Sequence, residues 1–187
     1  MNSVIELVKH RVSCPKLAGV VPSDEELNEI FACAVRAPDH ARLKPWHFHV
    51  VRGQAREKLG ELFVRAAQSN GVSIEDKLIK CRNMPLRAPL LVVAVCEPTI
   101  NPKVPAQEQV LAVGAAIQNM QIAISSLGYG SIWRTGDMAE SQVVKDAFGL
   151  SEQGSIVGFV YIGQPVKKPV LQTPDVNAYV SEWGAEF

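Results

Sequence analysis

The segment RAPDHARLKPWHFHV, residues 36–50, concentrates ionisable side chains beside an apolar stretch. It contains two arginines, one lysine, three histidines and one aspartate. Such a set could serve acid/base catalysis, ligate a metal ion, bind an anion or simply mark the end of a helix. The segment alone does not decide among these four interpretations.

A metal site is the first alternative. His47 and His49 are two residues apart on a predicted strand, so their side chains share one face. His40 or a cysteine would have to complete the set of ligands. This spacing matches none of the ligand patterns typical of zinc, so no metal site is predicted.

Nucleophilic catalysis also lacks a motif. The sequence contains no G-x-S-x-G, no P-loop and no G-x-G-x-x-G. The four cysteines (Cys14, Cys33, Cys81 and Cys96) are scattered, without a C-x-x-C pair. Cys33 and Cys96 lie in apolar runs and are expected to be small core residues. So few cysteines in a chain of this size are typical of a protein in the reducing cytosol.

Arginines and a serine offer an anion site instead. Arg11 and Ser13 follow the first predicted helix, where a guanidinium and a hydroxyl can reach the same phosphate. Arg36 follows the second helix, and Arg134 lies in a short apolar strand. Arginine suits bidentate recognition of phosphate, although Arg11 could be solvated and Arg36 could simply favour a helix C-terminus. The residues by themselves indicate an anion-binding α/β protein.

Composition narrows the class of partner. A chain of 187 residues suits one domain with its own core. It has 19 basic and 19 acidic side chains, so no net charge favours nucleic acid or an anionic membrane. The first residues do not resemble a signal peptide, and polar residues interrupt the apolar segment 110–124. We expect a cytoplasmic protein that binds neither nucleic acid nor membrane.

Periodicity predicts the elements that carry these residues. Helices are predicted over 3–10, from a capping box at Ser23 and Glu26 to about Ala37, and over 54–68, 74–83 and 106–127. Strands are predicted over 46–52, in 88–96, in 130–136 and in 155–163. A small helix is expected after Ser141. The order of elements predicts a mixed α/β architecture.

Two segments are expected to need a partner surface. The helix 106–127 is apolar nearly all round, with Gln118, Gln121 and Ser125 as a thin polar stripe. The tail 164–187 is apolar and interrupted by prolines. Because both would otherwise face water, a two-fold symmetric homodimer is predicted.

Four segments, taken in order, resemble the nitroreductase family. They are ELVKHRVS at 6–13, RAPDHARLKPWHFHVV at 36–51, LGYGSIWRTG at 127–136 and IVGFVYIGQP at 156–165. The chain is similar to small single-domain members named NAD(P)H nitroreductases. The resemblance implies an α+β fold, with residues 1–187 forming a single FMN-binding domain around a central, mostly antiparallel sheet flanked by helices. It further implies a homodimer with FMN sites at the interface and a C-terminal extension packed on the partner subunit.

The implied activity is that of an FMN-dependent oxidoreductase. FMN would accept hydride from NAD(P)H and pass hydride or electrons to a nitro compound or related acceptor in the same place, by a ping-pong mechanism. The chemistry would belong to the flavin, and no protein nucleophile is implied.

The resemblance also assigns residues. The basic-x-Ser pattern falls on Arg11, Val12 and Ser13, which are expected to bind the FMN phosphate and ribityl chain. The RAP turn falls on Arg36, with His40 after it, and is expected to face the flavin of the other subunit.

Two later segments complete the implied site. The WR[ST]G segment falls on Trp133, Arg134 and Thr135, also expected near FMN. The segment linked to the nicotinamide cofactor in close relatives falls on Ala123, Ile124, Ser125, Ser126, Leu127 and Gly128.

This chain departs from the family pattern at residues that are expected to affect substrate specificity. Where many relatives have Ser-Ser-x-Asn-x-Gln, this chain has DHARLK at 39–44. Pro15 replaces a lysine of larger relatives, and Lys167 and Lys168 only approximate their C-terminal Lys-x-Arg. The alternatives are therefore a member with a specific non-nitro substrate, such as an enone, a halogenated aromatic or flavin, or a non-catalytic FMN-binding protein.

Overall fold

The computed structural model describes residues 3–167 and 170–184. Within these ranges, helices surround a five-stranded sheet. The helices are α1 (Ser3–His10), α2 (Asp24–Ala34), α3 (Gln54–Ser69), α4 (Glu75–Asn83), α5 (Ala106–Ser126), α6 (Asp137–Glu140) and α7 (Gln142–Ala147). The strands are β1 (Leu17–Ala18), β2 (Trp46–Arg52), β3 (Leu90–Cys96), β4 (Gly130–Arg134) and β5 (Ser155–Pro165). Short 3₁₀ turns cover His40–Arg42, Met84–Arg87 and Val176–Ala178.

The sheet is antiparallel at each of its strand pairings, which confirms the predicted α+β fold. β3 pairs with β2 on one side and with β5 on the other, and β4 pairs with β5. β1 adds two residues against the end of β5. β1 was not predicted, because a two-residue strand carries no periodicity and exists only through its distant partner.

Helices cover both faces of the sheet. All seven residues of β3 are buried, as expected of an uninterrupted apolar strand between two layers. One hydrophobic cluster joins β3 and β5 to α3, α4, α6 and α7. The other joins the opposite face to α2 and α5. Alternate residues of β4 therefore face either the α3 side or the α5 side of the sheet.

The second helix begins as its capping box predicts. The backbone N–H of Glu26 donates to Ser23 Oγ at 3.2 Å, and the backbone N–H of Ser23 donates to Glu26 Oε2 at 2.8 Å. The helix ends at Ala34 with Val35 as its C-cap, earlier than the predicted end near Ala37. Arg36 consequently lies in the connection that follows the helix.

Two predicted environments are wrong. Gln121 was assigned to a polar stripe of α5, but only 3% of it is exposed and its Nε2 donates to Ser131 Oγ at 3.3 Å. Cys33 was expected in the core, but it is exposed. The buried face of α2 is formed by Leu27, Ile30 and Ala34, and Cys33 is turned away from it. Among the described residues, no helix is both long and apolar enough to cross a membrane.

The long helix and the tail leave apolar side chains exposed in the single chain. Leu111 on α5 is 64% exposed. In the tail, Val170, Tyr179 and Trp183 are 82%, 81% and 93% exposed. The single chain does not bury these side chains, and whether a partner subunit buries them stays a prediction.

Candidate functional site

A first depression lies at the start of β4, and we call it the Arg11 depression. It has a volume of about 190 Å³. Residues from the end of α1, the end of α5 and β4 line it, including Arg11, Val12, Ser125, Gly128 and Ser131. The structure therefore brings together two of the sequence-predicted groups, which are more than 100 residues apart in the chain.

The segment after α1 is held in place by backbone contacts. The N–H of Arg11 donates to Leu7 O at 3.0 Å, which continues the helical turn. Ser13 forms a bridge with Ser131, and the N–H of Cys14 donates to Ser131 O at 2.9 Å. β4 thus fixes the segment that carries Arg11 and the exposed Ser13.

The guanidinium of Arg11 has an unsatisfied donor. Its Nη1 is buried and has no hydrogen-bond partner among the described residues. A buried charged donor without a partner is costly, so an acceptor at this position would stabilise the protein. Next to a depression that Arg11 itself lines, this donor marks a place for an anion.

Cys14 lines the same depression but is unsuited to be a nucleophile. Burial raises the pKa of its thiol, against the opposing effects of the hydrogen bond from the Ser131 backbone and of the Arg11 charge. The thiol therefore stays protonated at neutral pH.

The predicted nicotinamide segment divides between core and surface. Ala123 and Ile124 are buried in the cluster beneath α5. Ser125 and Gly128 line the Arg11 depression. The remaining two, Ser126 and Leu127, are exposed, and Ser126 Oγ donates to Ala123 O at 2.7 Å. Only part of this segment can touch a ligand directly.

A second depression lies at the end of β4, and we call it the Arg134 depression. It has a volume of about 410 Å³, and Trp133, Arg134, Thr135, Arg87 and Tyr161 are among its lining residues. The guanidinium of Arg134 lies 5.8 Å from the centre of the Tyr161 ring, a cation–π geometry. Its Nε is buried and, within the described ranges, has no hydrogen-bond partner.

Trp133 and Arg134 point to opposite faces of the sheet, as neighbours on a strand must. The indole Nε1 of Trp133 donates to Val157 O at 3.1 Å, and the ring lies over Gly158 with its far edge beside Gly114 of α5. Arg134 instead faces Tyr161, in the cluster on the α3 side. Both residues are nevertheless among those that line the Arg134 depression.

Arg87 and Tyr161 were not predicted as site residues. Burial raises the pKa of the Tyr161 phenol, while the charges of Arg87 and Arg134 oppose this effect. The phenol is neutral and can donate a hydrogen bond. A tyrosine within the apolar strand FVYIG was the one signal in the sequence, because a buried hydroxyl usually has a polar partner.

Arg36 and His40 lie apart from both depressions in the single chain. Arg36 lines a third hollow, of about 470 Å³, together with Arg42 and Lys44. His40 Nδ1 lies 2.9 Å from Glu108 Oε2 and borders a shallow hollow against α5. Neither side chain lines the Arg11 or the Arg134 depression.

The turn that carries His40 has an unusual backbone. Ala41, Arg42 and Lys44 have φ of 61°, 54° and 50°, in the left-handed region that non-glycine residues seldom adopt. Asp39 stabilises the turn, because its Oδ2 accepts from the N–H of Lys44 at 2.7 Å. The conformation presents Arg42 and Lys44 to solvent.

The histidine pair offers no metal centre within the part of the chain that the structure describes. His47 and His49 are 4.6 Å apart, measured between ring centres. Burial, and then the charge of His47, lower the pKa of His49. No group of three or more potential ligand side chains occurs among the described residues. Of the two lysines that approximate the family's C-terminal motif, Lys167 is exposed and Lys168 lies outside the described residues.

Comparison with known proteins identifies the family. Residues 8–164 match the model of the family described as "Nitroreductase family". The "Putative NAD(P)H nitroreductase YdjA" of Escherichia coli K12 is 41% identical over 180 residues, which cover 95% of this chain and 97% of that protein.

Solved structures show the same fold. A nitroreductase-like family protein from Bacillus cereus superposes with a TM-score of 0.80 at 23% identity and covers 98% of each chain. A nitroreductase with bound FMN from Bacteroides fragilis gives a TM-score of 0.69 at 23% identity, over 100% of this chain and 98% of that one. Because the family match and the 41% identical relative both extend over most of its length, this chain belongs to the nitroreductase family.

Proposed function

We propose that this protein is an FMN-dependent oxidoreductase that transfers hydride or electrons from NAD(P)H to nitro compounds or related acceptors by a ping-pong mechanism. Membership of the nitroreductase family supports this proposal. The observation that carries it is the buried, unpartnered Nη1 of Arg11 in a depression that Arg11, Val12 and Ser131 line. Ser13 does not line this depression but is bridged to Ser131 at its edge.

The residues at the two ends of β4 fit a long ligand with an anionic end and an aromatic end. At the Arg11 depression, the Arg11 guanidinium and the Ser13 hydroxyl would hold a phosphate, with Val12 between them against the ribityl chain. At about 3.3 Å per residue, the four steps from Ser131 to Thr135 span roughly 13 Å, which leaves room for an extended chain between the two depressions.

The Arg134 depression would take the ring system. Trp133 and Thr135 border it, and Arg134 brings a positive charge over the ring of the neutral Tyr161. Bound FMN would supply the redox chemistry, that is, acceptance of hydride from a nicotinamide and its return to an acceptor. The positive charge of Arg134 would stabilise negative charge on a ring held here.

A second copy of the chain would complete the site. Arg36 and His40 line neither depression of their own chain, and we propose that they face the flavin held by the other subunit. The exposed Leu111 and the exposed tail side chains would be buried in that homodimer, in which residues 1–187 form one domain of each subunit. The predicted segment 123–128 would contact the nicotinamide cofactor through Ser125 and Gly128, with Ala123 and Ile124 supporting it from the core.

A specific acceptor is favoured by one observation. The left-handed residues of the 39–44 turn hold Arg42 and Lys44 beside Arg36, where many relatives have small polar residues. These charges would limit which acceptors reach the site. A panel of nitroaromatics, enones, halogenated aromatics and free flavin, tested by stopped-flow reoxidation, would identify the acceptor.

The proposal is tested by the visible absorption spectrum of the purified protein, before and after anaerobic addition of NADH or NADPH. A flavin spectrum that is bleached by NAD(P)H and restored by an acceptor is expected.

Arg11→Gln should weaken FMN binding about 10- to 100-fold, because one charged hydrogen bond is lost. Arg65→Gln, at an exposed position of α3, serves as the control and should leave FMN affinity unchanged. A colourless protein that neither binds added FMN nor oxidises NAD(P)H with it would disprove the proposal.

A further inference from the structure

A cleft between α3, α4 and the loop after β4 adjoins the Arg134 depression, and we call it the α4 cleft. Its volume is about 490 Å³. Met84, Thr135, Gly136 and Met138 line both the α4 cleft and the Arg134 depression. The two spaces are therefore neighbours with a common wall, so a ligand in the α4 cleft can contact a group bound in the Arg134 depression.

The α4 cleft has an apolar floor. Ala67, Cys81 and Met138 are 2%, 8% and 7% exposed, and the half-buried Val72 and Met84 continue the same surface. Burial of an apolar or aromatic group against this floor is favourable because it removes apolar surface from water. The floor contributes affinity but little chemical selectivity.

Two lysines at the rim supply the selectivity. Lys77 and Lys80 are three residues apart on α4, so they lie on one face of the helix, and both line the cleft. Neither takes part in an ion pair within the described residues, whereas the neighbouring Arg82 is paired with Glu61 at 2.7 Å. The charges of Lys77 and Lys80 therefore remain available to a ligand.

The joined space carries an excess of positive charge. Asp137 contributes a carboxylate to the α4 cleft, against Lys77 and Lys80 on its rim. The adjoining Arg134 depression adds the guanidinium groups of Arg87 and Arg134. Cations therefore outnumber the one carboxylate, and an anionic group in the α4 cleft would meet more attraction than repulsion.

We propose that the α4 cleft binds the anionic group of an acceptor whose aromatic or similar apolar body lies against the shared wall at Met84, Thr135 and Met138, beside the flavin ring in the Arg134 depression. The substrate class is then an apolar electron acceptor that carries a carboxylate or a phosphate, rather than a neutral nitroaromatic. The acceptor role rests on the proposed function, because it places the reducible group beside the flavin. Binding of the anion rests on the cleft alone.

The test is isothermal titration calorimetry of the full-length protein as purified, at low ionic strength. The probes are 4-nitrobenzoate, 4-nitrophenyl phosphate and the uncharged 4-nitrobenzamide. The Lys77→Gln/Lys80→Gln variant should lose roughly two- to thirtyfold in affinity for the two anions, the loss expected for two exposed ion pairs. The amide should bind this variant within twofold of the unchanged protein. The two anions distinguish a carboxylate site from a phosphate site.

The control is Lys58→Gln, which removes an exposed lysine of α3 that does not line the cleft. It should leave the affinity for all three probes unchanged. Equal binding of anions and amide, or an equal loss in the control and in the double variant, would overturn the proposal. It would also be overturned if the double variant raised the KM for NAD(P)H while the affinity for the anions stayed the same, because the cleft would then serve the electron donor.

The spectrum of the same samples separates this proposal from the proposed function. If the protein binds no FMN but the double variant still loses affinity for the anions, the proposed function fails and the anion site stands. If FMN is bound and reduced by NAD(P)H while anions and amide bind alike, the anion site fails and the proposed function stands.

Discussion

A methyl group added at Gly158 should disturb β4 through Trp133. A Cβ at this position would overlap Nε1 and Cδ1 of Trp133 and would lie 3.1 Å from the backbone oxygen of Arg134. Gly158→Ala should therefore displace the indole and break its hydrogen bond to Val157 O. Overpacking costs about 1–3 kcal/mol and a lost hydrogen bond about 1 kcal/mol, so the free energy of unfolding should fall by about 2–4 kcal/mol.

The measurement is urea denaturation followed by far-ultraviolet circular dichroism at one fixed protein concentration, since an oligomer's stability depends on concentration. Gly114→Ala is the matched control, because its Cβ would lie at an ordinary 3.6 Å from the opposite edge of the same indole. Within a helix, that change should stabilise the protein by up to about 1 kcal/mol. In a Trp133→Ala background, Gly158→Ala should cost at least 1 kcal/mol less than it does alone. A loss below about 0.5 kcal/mol, or an equal loss in both backgrounds, would refute the reasoning.

Three further predictions concern the cap, the thiols and the histidine. Ser23→Ala should lower the free energy of unfolding by about 1 kcal/mol, and Ser23→Gly by only a few tenths of a kcal/mol, as measured by urea denaturation. Equal effects of the two substitutions would argue against a capping role for Ser23. Iodoacetamide at pH 8 should modify the exposed Cys33 first in the native protein. Burial, and then the charge of Glu97, raise the pKa of Cys96 to about 11, and burial raises the pKa of Cys14. Mass spectrometry that shows Cys96 modified as fast as Cys33 would contradict this prediction. Because burial lowers the pKa of His49 in the folded protein, the unfolded state binds a proton at this residue more readily, so stability should fall as the pH drops below about 6.5. His49→Asn should reduce the difference in urea midpoint between pH 7.5 and pH 5.5. An unchanged difference would show that His49 does not cause the loss of stability at low pH.

Local patterns predicted most of the helices and strands. The structure contains the predicted capping box at Ser23 and Glu26 and the strand Trp46–Arg52 with its predicted bounds. Both features depend on residues that are neighbours in the sequence. β1 and the burial of Gln121 could not be predicted in this way. Leu17 pairs with Pro165, and Gln121 is satisfied by Ser131, so both depend on contacts that only the folded sheet creates.

The candidate site was predictable by residue type but not by arrangement. Arg11 was singled out because it and Ser13 follow the first predicted helix, and Arg134 because it lies in a short apolar strand. The opposite orientations of Trp133 and Arg134 follow from strand alternation once both residues are assigned to β4. Arg87 and Tyr161 come from other elements, and their part in the Arg134 depression depends on the packing of the 3₁₀ turn and β5 against β4.

A buried, unpartnered donor is not sufficient to identify a site, and Arg56 shows why. Its Nε is also buried without a partner among the described residues, yet its Nη1 donates to Ala88 O at 2.9 Å. Arg56 does not line either depression of β4. Arg11 and Arg134 combine an unpartnered nitrogen with a depression that each of them lines, and β4 connects the two. This combination, and not burial alone, is the reason we propose Arg11 and Arg134, rather than Arg56, as binding groups.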